Sequence, residues 1–283
     1  MLAGLSFRLF LLPLLLVSAK VVSAQPAPKA AATPTPPPRA HVTETVVDSS
    51  IADDPGVDKM LAPYSPKVRE LEVVVGKLKG ELKKGSIGAG SLGNFVADGM
   101  RAQARLKVAR PIDLAIMNGG GLRRNAIGEG ELRARDIFEL LPFENALVTL
   151  ELNGEQVLRL LGVVVSSREA QSGARITYRV KADKSSELES AKLLNEKRRE
   201  KEIDPKATYT VVTIDYLINV GGARYAVLRE GKNTRPLGIT LRDSMIAYVK
   251  SETAAGRDIK PNLDGRFILD QANSVLSGEA PPQ

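Results

Sequence analysis

Two periods of apolar residues alternate along this chain, and the points where one replaces the other mark out its elements. Residues 112–117 read Ile-Asp-Leu-Ala-Ile-Met between Pro111 and a glycine cluster, the signature of a short buried strand. Residues 131–141 predict a short amphipathic helix stopped by Pro142. Residues 145–152 then alternate as a strand, Asn153-Gly154 turns the chain, and residues 155–165 return at helical spacing. Upstream, Ser91 stands where it can cap a helix whose Leu92, Phe95, Val96, Met100 and Ala104 share one face. Apolar positions from Val57 to Leu82 also have helix-compatible spacing, broken at Pro63 and Pro66. Downstream, residues 171–173 predict a loop, 175–180 a strand, 208–214 a β-branched central strand, 240–249 a capped helix and 266–269 a last short strand.

Composition narrows the chemistry. The 283 residues carry a formal charge of +7, one His and no Cys. That length holds one substantial domain with tails, or two small ones. Without Cys there are no disulfides, thiolate metal sites or cysteine nucleophiles. Residues 1–24 look like a secretory signal peptide: Arg8 precedes an apolar run, and Val22-Ser23-Ala24 supplies the small residues for cleavage after Ala24. The run falls short of the ~20 residues that span a bilayer, so the mature chain is expected in the periplasm or outside the cell, with no membrane attachment. Residues 25–50, rich in Pro and Ala, predict a disordered tether, residues 51–272 the folded domain, and residues 273–283 a flexible tail. His41 sits in the tether, where no neighbours complete a metal site. Residues 185–206 mix Lys and Arg with Glu and lack interleaved aromatics, which predicts a solvated hairpin or loop and no nucleic-acid partner.

The candidate chemistry gathers after the strand at 112–117. Met117-Asn118-Gly119-Gly120-Gly121-Leu122-Arg123 removes three Cβ atoms in a row, so the backbone can lie against a ligand, and it delivers a guanidinium at the end of the turn. Pro142-Phe143-Glu144-Asn145 follows. These motifs, with Ser91-Leu92-Gly93-Asn94-Phe95 upstream and Tyr209-Thr210-Val211-Val212-Thr213 and Gly221-Gly222 downstream, resemble the C-terminal domain of the 5'-nucleotidase / UDP-sugar hydrolase family over residues 55–270.

The resemblance implies a single α+β domain with a mixed β-sheet flanked by helices. It also implies a nucleoside or nucleotide ligand with its base held between two aromatic rings. Within the Asn118, Gly120 and Gly121 loop, Arg123 matches the arginine that contacts substrate; Phe143 matches one aromatic plate and Asn145 the amide on the base edge. Gly173 matches a backbone contact, and Tyr216 is the candidate second plate. Phe143 has a second reading as a core plug behind Pro142. Two departures are visible: Gly221-Gly222-Ala223-Arg224-Tyr225 stands where the family has Gly-Gly-Asp-Gly-Tyr, and residues 83–90 lack the usual arginines and Glu.

Two-metal phosphoesterases need several His and Asp ligands, and one His cannot supply them. No catalytic residue and no metal site is therefore expected here, and divalent metals are expected only in a separate metallophosphatase chain. The first expectation is an exported nucleotide-binding domain acting in nucleotide catabolism beside such a partner. A non-catalytic interaction module that kept the fold and lost the nucleotide is the alternative. Asp98, on the predicted helix after Ser91, reads as a solvated charge or an internal salt bridge, with an acid-driven hydrolase as a third possibility.

Overall fold

In the computed structural model, which describes residues 43–195 and 197–275, the alternating apolar segments close a five-stranded mixed sheet. The signal peptide and most of the tether and tail expected above lie outside the described residues. Residues from Asp53 onward form one compact unit, and the described residues before it carry a turn closed by Ile51 N–H on the Asp48 carbonyl.

In chain order the elements are α1 (Pro55–Leu61), α2 (Ser65–Leu71), β1 (Val74–Leu78), β2 (Leu82–Lys83), α3 (Gly90–Val108), β3 (Leu114–Met117), β4 (Ala126–Ile127) and β5 (Gly130–Arg133). There follow α4 (Ala134–Leu140), β6 (Ala146–Asn153), α5 (Gly154–Ser167), β7 (Ala170–Ser172), β8 (Ala174–Val180), β9 (Ser186–Leu194) and β10 (Glu200–Glu202). The chain continues through β11 (Thr208–Ile214), α6 (Asp215–Asn219), α7 (Ala226–Arg229), β12 (Lys232–Thr240), α8 (Leu241–Ala254) and β13 (Phe267–Leu269).

The main sheet has the order β12-β6-β11-β3-β7. β11 and β3 are parallel, and every other neighbouring pair in it is antiparallel. A second sheet runs β10-β9-β8-β13, and short ribbons pair β1 with β5 and β2 with β4. Helices α3 and α5 pack against the main sheet, and α8 packs on α3 with Phe95 and Tyr248 ring centroids 6.2 Å apart. The core is aliphatic: Leu114, Ile116, Met117, Leu147 and Val212 are fully buried. This is the α+β fold with a mixed sheet flanked by helices that the resemblance implied.

Several local expectations need correction. Ser91 is not the cap of α3. Ala89 stands there in the left-handed region (φ 57°), and the Ser91 hydroxyl instead accepts the Lys83 N–H at 2.9 Å. Residues 131–133 belong to β5 because pairing with β1 satisfies their backbone, and the helix begins at Ala134. For the same reason residues 74–78 are strand, not helix. Of the loop expected at 171–173, Gln171 and Ser172 belong instead to edge strand β7, registered on β3. β12 went unpredicted; it tolerates Pro236 because it lies on the sheet's other edge, where one N–H is not needed for the ladder.

Parallel pairing of β3 with β11 has a positional consequence. The C-terminal ends of β3, β11 and β12 and the N-terminal ends of β6 and β7 all share one edge of the sheet. Ligands of α/β sheets gather outside the carboxyl ends of parallel strands, where neighbouring loops separate.

Candidate functional site

At that edge each strand hands the chain to a short, chemically distinct segment. β3 stops at Met117 and the three glycines coil into a 3₁₀ turn, Gly119–Gly121. Gly121 is buried with Met117 beneath it: a Cβ there would lie 2.9 Å from the Met117 Cε. β11 ends at Ile214, and Asp215 Oδ1 accepts the Ala146 N–H at 3.1 Å, which ties the Tyr216 turn to the start of β6 and thus to the Phe143-Asn145 segment. Before β7, α5 ends on Arg168 in the left-handed region (φ 58°) and Glu169 turns inward.

These segments enclose a cavity of about 520 Å³. Asn118, Gly119 and Gly120 form one wall, Tyr216 and Leu217 another, Arg168 and Glu169 a third, and Lys84, Ser86, Arg224 and Tyr225 complete it. Nucleotide-sized ligands occupy concavities of ~300–1,000 Å³, so the volume is adequate. Tyr216 is 42% exposed, which leaves a ring face open to a ligand.

Glu169 is the buried hinge of this site. Only 5% of it is exposed, its Oε2 accepts the Gly119 N–H at 2.6 Å, and its Oε1 accepts the Tyr225 hydroxyl. Burial pushes its carboxyl above the ordinary glutamate value, while the bonds from Tyr225 and Gly119 pull the other way. Burial, followed by the bond to Glu169, likewise pushes the Tyr225 phenol well up, so it stays a donor. The carboxylate therefore pins the glycine turn to the far side of the cavity. Asn118 Oδ1 is buried with no protein partner.

Of the residues anticipated from sequence, Asn118, Gly120 and Tyr216 line this cavity. Gly121 supports the turn from behind. Arg123 and Phe143 share the same sheet edge but are not among the lining residues; the Arg123 guanidinium lies 5.7 Å from the centre of the Phe143 ring. Phe143 is 47% exposed, which removes its reading as a core plug. Asn145 is half-buried, and its carbonyl accepts the Leu241 N–H at 2.8 Å.

Gly173 is not brought together with them. It follows β7 at the opposite end from Glu169, outside this cavity, and its φ of 113° and a would-be Cβ 2.1 Å from the Asp113 carbonyl oxygen explain the glycine structurally. Asp98 is also resolved: both its oxygens bond the Arg266 guanidinium, at 2.9 and 2.8 Å, so it is the internal salt bridge and not a free acid.

Sequence reasoning missed Glu169 and Arg168 altogether, and met Lys84 only inside the departing 83–90 loop. A buried carboxylate between Arg168 and Ala170 has no periodicity to betray it. Arg224 and Tyr225 were visible, but only as a departure from a motif. Among the described residues no cluster of three or more His, Asp or Glu is placed to hold a metal ion, and no helix is long and apolar enough to cross a membrane.

Comparison with known proteins places this arrangement. The chain is 31% identical over 235 residues to the protein UshA of Yersinia enterocolitica, covering 81% of this chain and 38% of that one. It is 29% identical over 237 residues to the protein named Endonuclease YhcR in Bacillus subtilis, covering 81% of this chain and 18% of the relative. It thus spans well under half the length of these relatives. Among solved structures it superposes on a 5'-nucleotidase precursor from Thermus thermophilus with a TM-score of 0.64 and 27% identity, over 75% of this chain and 42% of that one. The NAD nucleotidase of Haemophilus influenzae shares the fold, with a TM-score of 0.60 at 21% identity over 79% of this chain and 42% of that one. The family model "5'-nucleotidase, C-terminal domain" matches residues 73–230, which contain the glycine turn, Glu169, Tyr216 and Arg224, and the chain belongs to that family.

Proposed function

We propose that this chain binds a nucleoside-bearing small molecule in the cavity between the Gly119–Gly121 turn and Tyr216, as an exported, periplasmic or secreted domain of nucleotide catabolism. The observation that carries the reading is the convergence of Asn118, Gly120 and Tyr216 on one cavity of adequate size at the ligand-binding edge of the sheet. The Tyr216 ring offers a stacking surface, and Asn118 stands in the wall formed by the glycine turn. Phe143, with Arg123 against its ring, stands on the same edge and supplies the opposing aromatic surface once a base is bound. No step of bond cleavage is assigned to this chain. Phosphate-ester hydrolysis falls to a metallophosphatase carried separately, which supplies the divalent metals.

Titration calorimetry with adenosine, AMP and UDP-glucose tests the binding. Stacking on one aromatic ring contributes ~1–3 kcal/mol, so Tyr216→Ala should weaken whichever ligand binds by about fivefold or more. Heat that is unchanged in the variant would remove Tyr216 from the site. Addition of a metallophosphatase of the same genome with divalent metal should raise AMP hydrolysis above that of the phosphatase alone.

A non-catalytic interaction module is the second reading, favoured by the exposed side chains of Val57, Met60, Leu61, Tyr64 and Val68 on α1, α2 and the turn between them. Absence of heat with all three ligands at millimolar concentration supports it over the first.

A further inference from the structure

We infer that α1 and α2 form a self-association surface, on which two copies of this chain pair antiparallel about a two-fold axis. The surface shares no residue with the cavity, so the inference is independent of the nucleoside reading.

The two helices lack the burial that short helices need. In water, isolated helices below ~12–15 residues are marginal, and most helical stability comes from covering an apolar face. α1 and α2 have seven residues each and bury none of them. Local chemistry supplies part of what is missing: Asp54 Oδ1 accepts the Gly56 and Val57 N–H groups at 2.7 and 3.2 Å, and Pro66 stands in the first turn of α2. It leaves Val57, Met60, Leu61, Tyr64 and Val68 all exposed. Neighbouring exposed apolar side chains of this kind mark a contact surface.

Their spacing names the occupant. Val57, Leu61, Tyr64, Val68 and Leu71 follow one another at steps of four, three, four and three, the a and d positions of a helix–helix seam. The turn between α1 and α2 does not break the seam, because Tyr64 N–H bonds the Leu61 carbonyl at 2.9 Å and Val68 N–H bonds the Tyr64 carbonyl at 3.1 Å. Leu61, Tyr64 and Val68 accordingly line one shallow concavity of about 290 Å³, with Ser65 and Arg69. A seam of knobs and holes is complementary to another of the same kind. Antiparallel pairing about its midpoint sets Val57 of one copy opposite Val68 of the other, and Leu61 opposite Tyr64.

Charge fixes the direction. Asp53, Asp54 and Asp58 against Lys59 make the α1 end acidic, whereas Lys67 and Arg69 against Glu70 make α2 basic. Antiparallel pairing lays the acidic end on the basic one, and the same register brings Asp58 opposite Lys67 on both sides of the axis. Parallel pairing would set acid against acid, which costs stability. Because the patch meets itself, the assembly closes as a dimer and does not grow into a filament. Two short helices per copy place the contact at the small end of specific interfaces, so the dimer is weak, with a dissociation constant in the micromolar range.

Sedimentation equilibrium of the full chain, from micromolar to near-millimolar concentration, should show a reversible monomer–dimer equilibrium. Leu61→Asp and Tyr64→Asp, both outside the core, should each weaken the dimer by about tenfold or more while leaving the thermal melt at low concentration unchanged. Asp58→Lys and Lys67→Glu should each weaken it as well. An equimolar mixture of those two variants should associate about fivefold or more tightly than either alone, because each contact across the axis again joins opposite charges. A chain that stays monomeric over the whole range overturns the proposal, as does a dimer that both Asp substitutions leave unchanged. A mixture no tighter than its components overturns the antiparallel pairing. A monomeric chain that instead binds a separate metallophosphatase, and loses it in Tyr64→Asp, overturns the second copy as the occupant of this surface.

Discussion

At the scale of single residues, two buried charged groups organise the molecule. Glu169 bridges the glycine turn and Tyr225 at the cavity, and its carboxyl titrates above the ordinary value of 4.5, chiefly because it is buried. Between the unfolded and the folded value the native state holds a proton that the unfolded chain has released, so stability falls as pH rises through that interval. Thermal melts from below pH 4.5 upward should show that loss in the parent protein and a flatter profile in Glu169→Gln. Superimposable slopes would mean that Glu169 is not desolvated as the geometry requires.

Arg266 is the second group: 5% exposed, it bonds both oxygens of Asp98, both oxygens of Asp264 and the Gln171 carbonyl. Burial raises the Asp264 carboxyl, but the bonds from Arg266 and Arg198 outweigh it and hold that group far below its usual range. Removing one partner of such a cluster strands the others, so Arg266→Ala should cost about 3–5 kcal/mol in denaturant unfolding. A cost near zero would show that water reaches Asp98 and Asp264 freely.

At the scale of elements, local signals and tertiary pairing compete, and the outcome differs along the chain. α5 is locally specified. Asn153 Oδ1 accepts the Gln156 N–H at 2.9 Å and Gln156 Oε1 accepts the Asn153 N–H at 2.8 Å, closing a capping box that the Asn-Gly turn already suggested. Asn153→Ala should therefore destabilise by ~1 kcal/mol in the same denaturation assay, with ligand binding unchanged. α8 is similar, with Thr240 accepting the Asp243 N–H at its start.

The opposite case is residues 131–133, whose helical spacing yields to β5 because β1 lies alongside to pair with it. β7 is shorter still. Three residues, Ala170–Ser172, carry no readable period, and their conformation exists only through register with β3. The start of α3 was misread for a related reason: Ser91 looks like a cap until its hydroxyl is seen bonding the Lys83 backbone.

At the scale of the whole molecule, the sheet and its helices form the core, and α1 and α2 contribute no buried residue to it. Their ties include the exposed ion pair of Glu72 with Arg135 at 2.8 Å, which lies just after α2. A chain starting at Glu72 should thus melt cooperatively and lose no more than about 1 kcal/mol, since exposed pairs and unburied helices add little. A large loss would show that the apolar stripe of α1 and α2 is covered in solution.

The sequence by itself determined the long strands at 146–153 and 208–214, the helices that follow Asn153 and Thr240, and the glycine turn with Tyr216 as binding candidates. Those features rest on periodicity, caps and turn chemistry, which act between residues a few positions apart. Only the tertiary structure decided that Asn118, Gly120 and Tyr216 share a cavity while Gly173 lies at the far end of its strand, and that Asp98 is spent on Arg266. It also placed Glu169, Lys84, Arg168 and Arg224 around one space. The reason is the parallel pairing of β3 with β11: which loops face each other depends on strand order and direction, and these are set by contacts between residues roughly a hundred positions apart, such as Thr213 Oγ1 on the Ile116 carbonyl at 3.0 Å across 97 positions.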